Sequence, residues 1–508
     1  MRQRRWRAQE RPRLVMVGDL THLLVPTNIG VSRRVKATHD GVQLALWRPM
    51  SDRTKGPVSR RRRFMKLAGM TASVATNYAR SQVKGVFQDA DTKARDKARN
   101  NARSGELIAQ TLGELKGAAM KVGQIASVAR DILPDDLIAS LASLQRDAPP
   151  MDYEVIAAQI ERELGSPPEL LFQRFDRVPF AAASIGQVHR ARTDDGREVV
   201  VKVQYPGVDE SVDSDIAHLK LALRASGMIS VRREAFDGFF AELRDRMREE
   251  VDYTHEAQNV RWFRALHADD DHLVIPEVVG ERSSGRILTL TYEPGDQLSE
   301  LDEKGYDQAT RNLIGARLTD MLYRQIFEFH AVHADPNPAN LAFRRNGDVV
   351  LYDFGCVKAF PQPDAAHYRN LMRAFRDADH DAIQVGMERV GIQRPGAQMD
   401  DRAEFYEQIR SSFGPFLFED VVFDCHTAHG HEIFTRMMVK ALRRPKHFQP
   451  SAAMLFTDRA QTGQFMNLVK LRSQVNMHRI YMKYLEMPQQ GDAGFSERMR
   501  GVPARPPV

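Results

Sequence analysis

A chain of 508 residues is longer than a single hydrophobic core usually grows, so its length predicts two or more substructures. Its composition, with 42% hydrophobic, 28% charged and 8% aromatic residues, is that of a globular protein and excludes fibrous and disordered classes. The two cysteines, Cys356 and Cys425, exclude a disulfide scaffold and favour a reducing compartment, by default the cytoplasm. No apolar run reaches the roughly 18 to 20 residues of a membrane span, so none is predicted.

The formal net charge of +6 is unevenly distributed along the chain. Residues 1–66 hold 17 Lys and Arg against 4 Asp and Glu, whereas the remainder holds 56 against 63. A basic segment of this kind is either simply solvated or attracted to an anionic surface. An anionic membrane is therefore a candidate partner, and nucleic acid is not an expected one.

The predicted elements separate a strand-rich lobe from a helical lobe. Asp194-Asp195-Gly196 between two extended runs predicts one β-hairpin, and Asn346-Gly347 predicts a second between Leu341–Phe343 and Val349–Tyr352. The fold class is therefore α+β with two lobes. In chain order the predicted segments are a basic tail (1–58), a charged helical linker (59–104), a helical extension (105–150), a strand-rich first lobe (151–295), the core of the second lobe (296–395) and a helical C-terminal region (396–508).

Three oxygen-bearing side chains are predicted to converge at the second hairpin. Two prolines exclude a regular helix around Asp335 and Asn340, which places both on an irregular loop, and the hairpin delivers Asp353. Magnesium between phosphate oxygens is held by hard oxygen ligands, and phosphoryl transfer needs a carboxylate near the attacking oxygen. Asp353-Phe354-Gly355 alone would be read as a turn. With the loop upstream at this spacing, the pattern predicts phosphoryl transfer from ATP.

A lysine in an apolar strand is the second signal. Lys202 interrupts the run Glu198–Val203 and, if buried, needs a carboxylate or phosphate partner; an exposed face of an edge strand is the alternative. Glu249, Asp252 and Glu256 lie three and four apart in a predicted helix and could supply a carboxylate. A merely solvated acidic face is the other interpretation of that helix.

Two further motifs complete an ordered set, Phe180-Ala-Ala-Ala-Ser-Ile-Gly-Gln-Val-His189 and Lys116-Gly-Ala-Ala-Met-Lys-Val-Gly-Gln124. With them the chain resembles the UbiB (AarF-type) family of atypical kinases, which includes proteins associated with ubiquinone biosynthesis. The resemblance implies a two-lobed protein-kinase-like fold with an N-terminal helical extension and a helical C-terminal region. It also implies ATP and Mg²⁺ as cofactors.

The resemblance assigns the catalytic and metal roles residue by residue. Asp335 would be the catalytic aspartate. Lys202 would pair with Glu256 and approach the ATP phosphates. Asn340 and Asp353 would hold Mg²⁺.

The remaining roles implied by the resemblance concern the nucleotide and access to the site. Asn337, Ala339 and Thr291 depart from the family pattern, which puts the loop shape and the adenine contacts in doubt but not metal binding. The nucleotide would contact the alanine-rich loop Ala181, Ala182, Ala183 and Ser184, and Thr291 and Tyr292 between the lobes. Glu250, Asp252, Lys121 and Gln124 would be regulatory, and the last two belong to a motif that in this family folds over the active site and restricts protein substrates.

The predicted function is a Mg²⁺-dependent atypical kinase or ATPase that supports isoprenoid-quinone or lipid metabolism. Its expected partners are ATP, an anionic membrane surface, and an isoprenoid lipid or proteins of the quinone pathway. Two alternatives stay open: a nucleotide-gated chaperone for lipid or protein with little transfer, and a basic membrane-binding pseudokinase. The pseudokinase is disfavoured because Lys202, Asp335, Asn340 and Asp353 are all present.

Overall fold

The structure, a computed structural model, describes residues 60–85, 90–115, 150–182, 185–226, 233–426 and 454–487, with positions 444, 446–449, 451 and 502. The predicted basic tail, 1–58, lies outside the described residues, as does most of the predicted extension 105–150.

Two long helices precede the first lobe, α1 (Arg60–Gly85) and α2 (Ala90–Leu115). Helix α1 buries Leu67, Met70 and Val74, which recur at steps of three and four and therefore share one face. That face packs against α2 and against a later helix, Val208–Ala225. The described parts of the charged segment 59–104 are thus helical, and α1 packs on the first lobe through Val208–Ala225.

The first lobe is a five-stranded antiparallel sheet with helices on it. Its strands lie in the order β1 (Arg174–Phe175), β3 (Gly186–Arg192), β4 (Glu198–Gln204) and β6 (Ile287–Thr291), and β2 (Ala181–Ala182) also pairs with β3. The predicted Asp-Gly hairpin is confirmed, since β3 and β4 pair from Gly186↔Gln204 to Arg192↔Glu198. The elements of this region are α3 (Tyr153–Leu164), α4 (Pro168–Leu171), β1 (Arg174–Phe175), β2 (Ala181–Ala182), β3 (Gly186–Arg192), β4 (Glu198–Gln204), α5 (Val208–Ala225), α6 (Arg233–Glu250), α7 (Tyr253–Leu266), β5 (Leu273–Val274) and β6 (Ile287–Thr291).

The second lobe is mainly helical and also contains several short strands. The predicted Asn-Gly hairpin is confirmed by the pairing of β9 (Leu341–Phe343) with β10 (Val349–Leu351), and Gly347 adopts φ 84°, a left-handed value that favours glycine. Strand β5 pairs in parallel with β10, and β8 pairs antiparallel with β11. The elements are β7 (Asp296–Gln297), α8 (Gln308–Phe327), β8 (Ala331–His333), β9 (Leu341–Phe343), β10 (Val349–Leu351), β11 (Val357–Ala359), α9 (Gln362–Asp377), α10 (His380–Arg389), α11 (Arg402–Phe413), β12 (Phe423–Asp424), α12 (Leu455–Leu471), β13 (Gln474–Val475) and α13 (Met477–Leu485).

Together these elements form the two-lobed α+β architecture predicted from the sequence. Helix α8 is the central helix of the second lobe, because α12 and α13 both pack on it. Within the described residues, no helix combines the length and the apolar character that a membrane span requires.

Candidate active site

A buried ion cluster lies where the first lobe meets the second. Strand alternation buries Val199, Val201 and Val203 on one face of β4 and turns Lys202 to the other. The Lys202 Nζ donates to both carboxylate oxygens of Glu256, at 3.0 and 2.9 Å, and lies 3.3 Å from Oδ2 of Asp353. The lysine side chain is only 16% exposed and that of Glu256 only 5%, so the carboxylates compensate a nearly buried charge.

The protonation of this cluster follows from burial and from its neighbours. Burial acts to lower the pKa of Lys202, but the carboxylates of Asp353 and Glu256 outweigh it and hold the pKa of the ammonium well above its usual range. Burial raises the pKa of Glu256, and the Lys202 charge opposes that shift. The lysine therefore stays cationic.

Phe354, which follows Asp353, fixes the orientation of the cluster. Its ring is fully buried and lies edge-on to Phe263 of α7 at 5.8 Å and to His333 at 5.7 Å. Asn259 of α7 also donates to the Phe354 carbonyl at 2.9 Å. Because α7 carries Glu256, these contacts hold the helix close enough for Glu256 to reach Lys202.

The β9–β10 hairpin brings the metal candidates to the same place. Leu341 pairs with Leu351, so Asn340 immediately before β9 lies beside the residues that follow β10. The amide of Tyr352 donates to the Asn340 carbonyl at 3.0 Å, and Asp353 is the next residue. The Asp353 Oδ1 accepts from the Gly355 amide at 3.0 Å, while Oδ2 faces Lys202.

Asp335 is held from two sides. The Asn340 Nδ2 donates to Asp335 Oδ2 at 2.9 Å, and the Arg459 Nη2 donates to Asp335 Oδ1 at 3.0 Å. Arg459 lies on α12, in a region for which the sequence predicted only helix. No motif signalled this arginine, because the contact spans 124 residues of sequence.

The oxygen donors suit magnesium in chemical type. Asn340 uses its amide nitrogen on Asp335, which leaves its amide oxygen as a ligand beside the carboxylate of Asp353. Among the described residues no group of three or more His, Cys, Asp or Glu could hold a metal ion. Magnesium bound to a nucleotide does not require such a group, because its ligands are one or two protein carboxylates together with phosphates and water. Asn340 and Asp353 therefore fit the predicted metal role.

The predicted nucleotide contacts lie around the first sheet and its exit. Ala181 and Ala182 form β2 and pair with Val188 and Gln187. Tyr292 follows the end of β6, and the guanidinium of Arg190 stacks on its ring at 4.0 Å.

Thr291, the other predicted contact between the lobes, forms hydrogen bonds with neighbouring residues of the chain. Its hydroxyl accepts from the Glu277 amide at 2.9 Å and donates to Glu293 at 3.3 Å. The Tyr292 amide likewise donates to the Glu198 carbonyl, at 2.9 Å. These two residues border the predicted nucleotide region, and the Thr291 hydroxyl is already bonded to neighbouring residues of the chain.

Glu249, Asp252 and Glu256 do not lie in one helix, contrary to the sequence interpretation. Helix α6 ends at Glu250, and Asp252 caps a new helix by accepting from the Thr254 and His255 amides at 2.9 and 3.2 Å. An N-cap aspartate accepts hydrogen bonds from the free N–H groups at the start of a helix. Asp252 therefore starts a new helix here, and α6 does not continue through it. Four further predicted residues, Lys121, Gln124, Ala183 and Ser184, lie outside the described residues.

Glu249, at the end of α6, contacts the strand that follows Asp353-Phe354-Gly355. Both of its carboxylate oxygens accept from the Lys358 Nζ at 2.7 Å. The same ammonium lies 5.5 Å from the ring of Phe456, the second residue of α12. The sequence interpretation offered Glu249 as a partner for Lys202, but the structure pairs it with Lys358.

A strand-rich lobe and a helical lobe meet at the Lys202–Glu256 pair. Asp353 contacts this pair, and Asn340 and Asp335 lie on the neighbouring loop. This arrangement defines a protein-kinase-like fold. The ABC1 atypical kinase-like domain matches residues 143–386. Together with the relatives described below, this match places the chain in the UbiB (AarF-type) family of atypical kinases, as its motifs predicted.

Similar proteins come from several kingdoms. The mitochondrial atypical kinase COQ8 of Saccharomyces cerevisiae is 31% identical over 65% of this chain and 66% of its own length. The mitochondrial atypical kinase COQ8B of Rattus norvegicus is 35% identical over 55% of this chain and 52% of its own length. The chloroplastic Protein ACTIVITY OF BC1 COMPLEX KINASE 7 of Arabidopsis thaliana is 34% identical over 52% of this chain and 38% of its own length. The chain thus spans between about one third and two thirds of these relatives.

A solved structure shows the same fold. The complex of Rv3197 with erythromycin, from Mycobacterium tuberculosis, matches with a TM-score of 0.55 and 27% identity. The match covers 74% of this chain and 95% of that chain. The similarity therefore extends well beyond the residues that match the family domain.

Proposed function

We propose that this protein binds ATP with Mg²⁺ and transfers or hydrolyses the terminal phosphoryl group. The observation that carries the proposal is the Lys202 ammonium between Glu256 and Asp353, held by the buried Phe354. A cation fixed in this way is positioned for phosphate oxygens. Bound magnesium would neutralise charge on the phosphates, with Asn340 and Asp353 as its protein ligands.

The chain's own residues account for the other requirements of the reaction. Lys202 would donate to the phosphates while Glu256 keeps it in place. Asp335, whose two oxygens are oriented by Asn340 and Arg459, would accept the proton of an attacking hydroxyl or water. Each of these oxygens keeps a second lone pair for that proton.

The membership in this family supports a role in isoprenoid-quinone metabolism, and we extend the proposal to that role. An anionic membrane surface is proposed as the place of action because of the basic residues 1–58. A cytoplasmic location with peripheral membrane contact fits this proposal.

The test is ATP hydrolysis by the purified chain, with and without Mg²⁺, anionic liposomes and quinone-like phenols. Asp353→Asn removes the charge that faces the metal and should lower Mg²⁺-dependent turnover about 100-fold or more. Circular dichroism and the melting temperature should stay those of the native chain. The matched control is Asp213→Asn on α5, a half-exposed carboxylate paired with Arg248 of α6, which should change nothing.

Labelled ATP separates the outcomes further. Transfer to an added acceptor supports kinase activity, whereas membrane-stimulated hydrolysis without a labelled acceptor supports the nucleotide-gated chaperone. If Asp353→Asn leaves the magnesium dependence unchanged, the phosphoryl-transfer assignment of this site is wrong.

A further inference from the structure

Helix α12 lies directly on the catalytic loop. A Cβ added to Gly463 would come within 2.0 Å of Pro336 Cγ, so only glycine allows the helix this close. Asn467 of the same helix donates to the Pro336 carbonyl at 3.1 Å. These two contacts, one helical turn apart, fix α12 against the residue that follows Asp335.

The catalytic loop carries no cation of its own. Its sequence, Asp335-Pro-Asn-Pro-Ala-Asn340, contains neither lysine nor arginine. A cation reaches the aspartate from α12, whose Arg459 donates to Asp335 Oδ1. The Asp335 carboxylate is therefore oriented by two different elements, the loop through Asn340 and the distant helix through Arg459.

The ion pair is poorly explained as a device for stability. The side chains of Arg459 and Asp335 are 31% and 18% exposed, and a pair that water reaches adds little to folding. Orientation is a better explanation, because a general base must be aimed at the proton it removes and the planar guanidinium fixes a carboxylate oxygen in direction.

We propose that Arg459 is a positioning residue that aims the Asp335 carboxylate at the attacking hydroxyl or water. This inference rests on the proposed function, since it assigns Arg459 a part in the same reaction. A positioning role and an inhibitory contact predict opposite changes in turnover when Arg459 is removed. If Arg459 blocked Asp335, removing the arginine would accelerate turnover, whereas a positioning role requires that removal slow it.

The experiment compares Arg459→Met, Arg459→Lys and Arg459→Ala with Lys470→Met in the full chain. Lys470 is an exposed residue of the same helix, so Lys470→Met removes a positive charge from α12 without touching the loop. We expect Arg459→Met to lower kcat about 10- to 100-fold, since misplacing a reacting group by about 1 Å costs about that much. The KM for Mg²⁺-ATP should stay within about threefold, because the Lys202 cluster is untouched.

Partial recovery distinguishes positioning from packing. Arg459→Lys should recover part of the lost kcat, and guanidinium ion at non-denaturing concentration should recover part of it in Arg459→Ala. A residue that only filled space would respond to neither. Lys470→Met should keep the native kcat and KM.

Each outcome decides between the two proposals. If the native chain turns over ATP with Mg²⁺ but Arg459→Met is as fast or faster, this inference is wrong and the proposed function stands. A kcat loss that lysine and guanidinium both fail to recover also contradicts a positioning role. If the native chain shows no magnesium-dependent turnover, the proposed function fails and this inference fails with it.

Discussion

The cluster around Lys202 and the cluster around Asp335 are built in different ways. Lys202, Glu256 and Asp353 come from β4, α7 and the end of the β9–β10 hairpin, all inside residues 143–386 that match the family domain. Asp335 shares that range, but its partner Arg459 lies beyond it, on α12. The comparison indicates that the cluster proposed to bind phosphate lies wholly within the family domain, whereas the proposed catalytic aspartate has a partner on a C-terminal helix.

The largest effect is expected at the buried cluster. Lys202→Met should abolish measurable magnesium-dependent turnover, because it removes the phosphate-facing cation. It should also destabilise the fold by about 3 kcal/mol, since Glu256 loses its partner while 5% exposed. Denaturant unfolding and steady-state hydrolysis measure the two quantities separately.

Two controls separate folding from activity at this cluster. Lys304→Met removes a half-exposed lysine whose partners are Asp296 and Glu300, and it should change the stability by less than about 1 kcal/mol. The double variant Lys202→Met with Glu256→Gln should regain much of the stability but none of the turnover. Recovery of turnover in the double variant would show that Lys202 does not act on phosphate.

A smaller effect is expected where α12 meets the loop. Gly463→Ala places a methyl group in the space of Pro336, so the helix or the loop must shift. We expect a loss of about 1 to 3 kcal/mol in stability and about a tenfold loss in kcat. Gly238→Ala in α6 is the control, because a Cβ there meets nothing within 4 Å and alanine should stabilise the helix by about 0.5 to 1 kcal/mol. A native kcat in Gly463→Ala would argue that α12 and the acceptor side are independent.

The smallest effect is a pH dependence at the base of the catalytic loop. His267 is buried beside Gln325, whose amide oxygen accepts from the His333 amide at 3.0 Å. Burial, and then the charge of Arg324, lower the pKa of His267 from 6.5 to about 3. Its contribution to stability is therefore complete above pH 6.5 and is lost as the pH falls toward 3. Between pH 6.5 and 5 we expect a loss of about 2 kcal/mol.

Chemical unfolding at several pH values measures this contribution. His267→Gln should make the dependence on pH shallower below 6.5, even if it lowers stability overall. His218→Gln, at a partly exposed position of α5, should leave the slope unchanged. An identical slope in all three chains would show that another group controls the acid sensitivity.

The sequence predicted the parts of the site that short motifs define. A strand interrupted by one lysine, two hairpins with Asp-Gly and Asn-Gly turns, and an oxygen-rich loop between prolines are local signals. The structure brings Lys202 into contact with Asp353, which follows the second hairpin, and the Tyr352 amide binds Asn340 of the loop. The Lys202–Glu256 pair was implied by the family resemblance and is present at 2.9 Å.

The sequence did not predict the contacts that depend on long-range packing. Glu249 and Glu256 were both candidates for Lys202, and periodicity did not separate them because the break at Asp252 depends on helix capping by that aspartate. Arg459 was missed for a similar reason. Its partner is 124 residues away, and an arginine on a helix is usually solvated.

The short connection between Gly355 and α9 has a consequence for control of the protein. It consists of Cys356-Val-Lys-Ala-Phe-Pro361, which pairs with β8 through β11 and is tied to α6 through the Lys358–Glu249 bridge. In protein kinases this region is often switched on when an added phosphate recruits arginines. Here the stretch has no serine, threonine or tyrosine to modify. Its geometry is therefore built in by the fold, and a covalent phosphate on this segment cannot be the signal that turns the protein on or off.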